Sequence, residues 1–224
     1  MAAPLLHPGY TVRRSERARR VRVSVEPDGA LTVTLPRRAP VRAADDAVLE
    51  LAPWIERRRR ALEAARADQE RPAGTVPYLG ATLALAPEPG RTRVHRVGDT
   101  LRIPAAAAQQ GPALERWYRR RARAEIEPRL TAACAQTGLG PHTALTIRNQ
   151  RTRWASCSTS GAMSFNWRLL LAPADVLDYV VWHEVCHLAV ADHSPRFWGL
   201  LAGHRPAYRE PQRWLLRYGA TLTV

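Results

Sequence analysis

Five consecutive residues, His183-Glu184-Val185-Cys186-His187, constrain this chain more than any other feature. On a helix, residues four apart stack on one face one turn apart, so both imidazoles can approach a single metal ion. Glu184 then faces the same site and is suited to act as a general base rather than a ligand. A catalytic zinc site takes three protein ligands and keeps one position open, so a third ligand is required. His193 follows His187 by six positions, the offset used when a ligand helix ends and the chain turns back under the metal, as in H-E-x-x-H-x-x-G-x-x-H. Val190 stands where that pattern has glycine, Asp192 is available to help make the bend, and no methionine follows, the two being Met1 and Met163. Should His193 not serve, Glu210 and His204 are next in line.

A five-residue match also arises by chance in helices whose histidines are merely packed. Against that stand the apolar neighbours Val180, Val181, Leu188 and Val190, which bury the motif where an unpaired glutamate is costly. Pro173 suits the first helical position, with Asp175 and Asp178 in the opening turns.

Composition sets the outer limits. At 224 residues the chain fits one domain, or a domain with an N-terminal extension, and its 46% hydrophobic content is ample for a core. No run of 18 apolar residues suggests a membrane span. The opening residues lack the basic end and apolar stretch of a signal peptide. Three cysteines, Cys134, Cys157 and Cys186, are too few and odd in number for a disulfide framework. The expected location is the cytoplasm. A net charge of +14 invites a polyanionic partner. All 34 basic residues are arginine, however, so the excess equally fits a compositional bias.

Taken in order, Val21, Val23 and Val25 alternate, as do Leu31, Val33 and Leu35, with Pro27-Asp28-Gly29 between them, which reads as a β-hairpin. The arginines before it (Arg13, Arg14, Arg17, Arg19, Arg20) form either a solvated edge or a phosphate-contacting strip. A helical pattern covers 43–68, with Pro53 starting a second helix. Residues 76–104 read as β-structure, with Tyr78-Leu79-Gly80, Leu83 and Leu85 followed by Val94, Val97, Leu101 and Ile103 around a Gly98-Asp99 turn, and 105–111 as a small-residue linker. A long helix follows over 112–136, with Pro128 expected to kink or split it. Two short strands, 143–148 and 162–167, flank a polar loop that contains Trp154. The second, just before the H-E-x-x-H helix, is expected to be the sheet edge that pairs with an extended peptide. No internal repeat is evident. The expected organisation is an N-terminal region of β-hairpins and helices over 1–105, packed on a core over 106–224.

Three segments carry a family resemblance: Arg151-Thr152-Arg153-Trp154-Ala155-Ser156-Cys157; Phe165-Asn166-Trp167-Arg168-Leu169-Leu170-Leu171; and Tyr179 to Leu188 continued by His193-Ser194-Pro195-Arg196-Phe197-Trp198. In these the chain resembles the YgjP-like metallopeptidases, relatives of the SprT-like and WLM zinc proteases. It departs at Ala155, where the family usually has glycine in a W-G-S-C loop. The resemblance implies an α+β, zincin-like fold with the H-E-x-x-H helix beside a small antiparallel sheet. It implies one Zn2+ per chain on His183, His187 and His193, and peptide-bond hydrolysis by a zinc-activated water with Glu184 as general base. Its substrates would be proteins or peptides.

An oxyanion or substrate donor is also required, and Asn166, Arg196 and Tyr208 are the candidates. SprT-like relatives digest proteins crosslinked to DNA, which makes DNA a candidate partner, with Arg151 and Arg153 on phosphates and Trp154 stacked on a base. The rival reading is a metal-stabilised, arginine-rich nucleic-acid-binding protein without hydrolytic activity. An intact Glu184 argues against it, since a structural site needs no base. Cys157 reads as a small packed residue, and Cys186 is rotated off the ligand face.

Overall fold

The computed structural model describes residues 5–7, 9–150 and 152–224. Its contacts divide the chain into two compact units, Met1–Glu70 and Arg71–Val224. The division expected near residue 105 falls inside the second unit. Val76, Tyr78, Leu83, Leu101 and Ile103 share one core with Leu114 and Trp117, so the strands before 105 are part of that unit's interior.

The first unit contains β1 (Leu5–His7), β2 (Tyr10–Ser15), β3 (Arg22–Val25) and β4 (Leu31–Pro36), followed by α1 (Arg42–Glu50) and α2 (Ala52–Ala67). The expected hairpin forms, with Val23 opposite Val33 and Val25 opposite Leu31. Period-two burial puts Leu31, Val33 and Leu35 inside, and Val12 and Ala44 cluster with Val33 and Leu35. Helix α2 buries Ile55 and Leu62, whereas Trp54 of α2 and Leu49 of α1 are exposed.

The second unit opens with β5 (Thr75–Tyr78), β6 (Ala81–Glu88), β7 (His95–Val97) and β8 (Thr100–Pro104). The turn between β5 and β6 uses Leu79 at φ 50° and Gly80 at φ 90°, the two positive values of the turn that matches the twist of a tight hairpin. This sheet, ordered β5-β6-β8-β7, repeats the order β1-β2-β4-β3 of the first. In both, two antiparallel hairpins join through a parallel central pair. A structural repeat is therefore present where none was expected. Its strands differ in length and share an apolar pattern rather than identities, so the sequences do not display it.

Helix α3 (Ala107–Thr137) starts inside the expected linker and runs unbroken through Pro112 and Pro128. It ends at Gly138, whose φ of 65° suits glycine. Its apolar stripe, including Leu114, Trp117, Tyr118, Ile126 and Leu130, is buried on both sides of Pro128. That burial outweighs one missing amide donor.

A third sheet follows: β9 (Ala144–Arg148), β10 (Ala155–Cys157) and β11 (Ala162–Asn166), ordered β10-β11-β9. It is mixed rather than antiparallel, because β11 runs parallel to β9 and antiparallel to β10. The chain leaves β9, crosses to the far edge as β10, and returns between them. The 3-10 turn Trp167–Leu171 then leads to α4 (Ala174–Cys186), α5 (Pro195–His204) and α6 (Arg209–Tyr218). Helix α4 buries Val176, Leu177, Val180, Val181 and Val185. Asp178 of α4 ties it to Arg129 of α3 at 3.0 Å and to Arg205 after α5 at 3.2 Å. Among the described residues no helix is long and apolar enough to cross a membrane.

Candidate metal centre

His183 and Glu184 lie in the last turn of α4, and His187 closes it while keeping helical φ and ψ, so the i, i+4 relation survives to the helix end. Amides of Leu188 and Ala189 bond back to carbonyls three residues earlier, which tightens the chain into a turn. Gly80 and other glycines take positive φ elsewhere, but no residue between His187 and His193 does. Valine at position 190 therefore costs this turn nothing. Asp192 helps make the bend by accepting the Ser194 amide at 3.1 Å, and Pro195 then opens α5.

That return brings His193 back to α4. One ring nitrogen from each of His183, His187 and His193 lies within 4.8 Å of the others. The Nε2 atoms of His183 and His193 are 2.9 Å apart. Tetrahedral zinc with Zn–N bonds of about 2.0–2.1 Å sets its nitrogens about 3.3 Å apart, so the three imidazoles fit the ion with small adjustments. His187 Nδ1 sits 2.9 Å from the Val190 carbonyl, which assigns the proton to Nδ1 and leaves Nε2 as the lone-pair donor. Burial, and then the neighbouring His187 and His193, push the His183 pKa down to about 3. Burial likewise lowers that of His187. Both rings are thus neutral at physiological pH, the form a metal requires.

Aromatic rings support the cluster. Phe197 of α5 is fully buried beneath it, 4.8, 4.5 and 4.9 Å from the centroids of His183, His187 and His193. His193, the exposed member, stacks on Trp198 at 5.6 Å, and Trp198 stacks on Tyr208 at 5.5 Å.

Glu184 is 5% exposed. Burial raises its carboxyl to about pKa 7, against the opposing Cys157 backbone amide and the Arg153 charge. Its Oε2 is buried without a hydrogen-bond partner among the described residues. The amide from Cys157 identifies the element beside Glu184 as β10. Asn166 N–H donates to the Trp154 carbonyl and Ser158 N–H to that of Ala162, so residues 154 and 158 face inward to β11. By alternation Ala155 and Cys157 turn their N–H and C=O groups outward. The strand expected as the edge, β11, is central and paired on both sides, and β10 is the edge strand. Ala155 sits there in ordinary extended structure, with no positive φ that would call for glycine.

A groove of about 370 Å³ joins these parts, lined by the three histidines, Glu184, Arg153, β10, Ser158, Thr159 and Ala191. The three proposed substrate donors do not line it. Asn166 is buried; its Nδ2 donates to the Gln150 carbonyl at 2.7 Å and its Oδ1 caps the 3-10 turn at Arg168 N–H, so the amide is committed to structure. Tyr208 stacks on Trp198 and bonds with Arg209. Arg196 is exposed on α5, beside Asp192.

Of the residues assigned to nucleic acid, Arg151 lies outside the described residues. Trp154 is half-buried against the core, and its indole lies 3.0–3.3 Å from where a Cβ on Gly219 would stand. Packing thus takes up part of the ring, and the arrangement lends the DNA reading no support. Burial and Glu184 push the Cys157 thiol up to about 11, which keeps it neutral and a poor ligand. Cys186 is fully buried away from the groove. His204 stacks on Trp182 at 5.1 Å. Sequence reasoning missed the Cys157 amide, the β10 edge and the hydroxyl lining. The Ser160-Gly161 turn, which joins a strand on each side of it, was the one available signal.

No curated protein matches the chain. Among solved structures, the metallopeptidase zymogen of Pyrococcus abyssi abylysin aligns at 22% identity over 42% of this chain and 95% of its own, with a TM-score of 0.38. The sequence pattern of the YgjP-like metallopeptidase domain spans residues 19–218, both units and every residue of the histidine cluster, and the chain belongs to that family.

Proposed function

We propose that this metallopeptidase hydrolyses peptide bonds with one zinc ion held by His183, His187 and His193 and with Glu184 as general base. One observation carries the reading: three imidazoles and a buried carboxyl group converge on a groove bounded by a strand edge. Zinc, when bound there, supplies Lewis acidity that polarises the scissile carbonyl and acidifies the attacking water. The chain's own residues do the rest. The Cys157 amide fixes one carboxylate oxygen of Glu184 and leaves Oε2 to accept a proton from water. A base whose pKa lies near 7 takes that proton at neutral pH and returns it to the leaving amine. The outward N–H and C=O of Ala155, with the C=O of Cys157, offer ladder hydrogen bonds to an extended substrate. That requirement for extended backbone favours unfolded or flexible segments.

The test combines metal analysis with cleavage of a disordered protein. Wild type should carry one zinc per chain and cleave. Glu184→Gln should keep the zinc and lose cleavage, whereas His193→Ala should lose most of the zinc. Undiminished cleavage by Glu184→Gln would remove the proposed base, and full zinc in His193→Ala would move the third ligand elsewhere.

A further inference from the structure

The lining of the groove, taken with the peptidase reading on which this rests, points to the class of substrate. Apart from the metal cluster and Glu184, the walls carry Ser156, Ser158, Thr159, Arg153 and small residues, with no aromatic or large aliphatic side chain. Such walls offer little to a bulky apolar side chain, which needs apolar surface to bury. Arg153 is the one permanent cation lining this space among the described residues, and no carboxylate lies within ion-pair distance of it. Its charge still reaches Glu184 and favours the ionised base. An unpaired guanidinium at the rim of a groove is a fork shaped for a carboxylate, which it can hold through two parallel hydrogen bonds.

We infer that Arg153 is a specificity residue, which binds a carboxylate carried by the substrate on the C-terminal side of the scissile bond. The side follows from strand direction. Glu184 meets β10 at Cys157, and Arg153 lies four residues earlier, two residues ahead of the strand's start. A substrate antiparallel to β10 advances from its N- to its C-terminus as β10 is followed back from Cys157 to Arg153. The carboxylate is therefore within about four residues downstream of the cleaved bond. It comes either from an aspartate or glutamate side chain or from the free C-terminus of a peptide.

One neutral peptide sequence, made in four forms, separates these sources: amidated, amidated with a single glutamate at each of four downstream positions, neutral with a free C-terminal carboxylate, and amidated with lysine in place of glutamate. Cleavage is measured with zinc-loaded wild type, Arg153→Gln and Arg153→Glu. Binding is measured by fluorescence anisotropy with Glu184→Gln and Glu184→Gln/Arg153→Gln, which needs no turnover. Wild type should prefer a carboxylate-bearing peptide on the order of tenfold. Arg153→Gln should erase the preference with zinc content unchanged, and Arg153→Glu should turn it toward lysine. Whichever form gains, glutamate or free terminus, identifies the source. Equal handling of all the peptides, or a preference that persists in Arg153→Gln, overturns the inference. If zinc-loaded wild type cleaves none of them nor any disordered protein, the peptidase reading fails instead. The binding arm then decides the carboxylate site on its own: loss of carboxylate-dependent binding on removing Arg153 supports it, and no loss overturns it.

Discussion

Replacing Glu184 with glutamine should stabilise the metal-free protein by an amount that grows as pH rises above about 4.5 and levels off above about 7. A carboxyl raised by burial from 4.5 to about 7 is ionised in the fold at a cost of about 3 kcal/mol, at about 1.4 kcal/mol for each tenfold change in proton affinity. Below about pH 4.5 the folded and unfolded chains both hold the proton, and the cost is absent. Between 4.5 and 7 the unfolded chain ionises first, so stability falls as pH rises, and above 7 the whole cost stands. His183 acts in the opposite direction. Its pKa, lowered from 6.5 to about 3, makes the fold gain stability as pH rises through that window. Comparing wild type with Glu184→Gln at each pH cancels the histidine and isolates the carboxylate. Glutamine keeps an acceptor for the Cys157 amide, so the packing survives. The assay is urea unfolding in chelator at pH 4.5, 6 and 8, followed by tryptophan fluorescence. Six of the seven tryptophans lie in Arg71–Val224, so the signal reports the unit that holds the site. The variant should match wild type at pH 4.5 and exceed it by about 3 kcal/mol at pH 8. Saturating zinc should shrink the gap, because a cation among the imidazoles favours the charged carboxylate. A pH-independent difference, or a variant less stable than wild type at pH 8, would refute the idea that burial governs this group.

Three further expectations bear on the surroundings of the site. Phe197→Ala removes the fully buried floor under all three imidazoles; it should cost about 3–5 kcal/mol in urea unfolding and weaken zinc in a competition titration, whereas Phe197→Leu should do less of both. Gly219→Ala pushes a methyl to 3.0 Å from the Trp154 indole and should cost about 1–3 kcal/mol; the cost should fall when Trp154 is also replaced by phenylalanine, and additive costs would mean that the contact is relieved some other way. Asp178→Asn breaks the ties to Arg129 and Arg205, but the groups are about one-third exposed, so the loss should be only about 0.5–1 kcal/mol and should shrink in high salt.

What could be read from the sequence was what chemistry forces into a spacing. Intervals of four and six residues between histidines carry meaning because a helix and a return turn meet the same metal. The alternation of Val23, Val25, Leu31, Val33 and Leu35 carries meaning because only one face of that sheet is buried. Choices made between distant segments could not be read. Nothing local tells β11 to lie between β9 and β10, and a three-residue strand such as Ala155–Cys157 has no period to detect. The donors assigned to Asn166 and Tyr208 failed to reach the groove for a related reason. A polar side chain near a ligand helix in sequence is as readily consumed by a cap or a ring stack as offered to a substrate. Likewise the small residues of 105–111 read as a linker, yet alanine is the strongest helix former and the helix begins at Ala107.

The site divides its work between a rigid half and an exposed half. His183, Glu184 and His187 share one helix whose other faces are buried, so their mutual geometry is set by helix pitch and core packing before any ion arrives. His193 has no such scaffold. It is the exposed member of the cluster, held from behind by Phe197 and from one side by Trp198, which Tyr208 backs in turn. All three supporting rings belong to α5 or to the residues just after it. A metal bound by all three histidines therefore links α4 to α5, and its binding free energy adds to the stability of that junction. The same arrangement explains why the aromatic residues follow His193 so closely in sequence. An imidazole on a surface turn would sample several rotamers, and stacking removes that freedom before the ion has to.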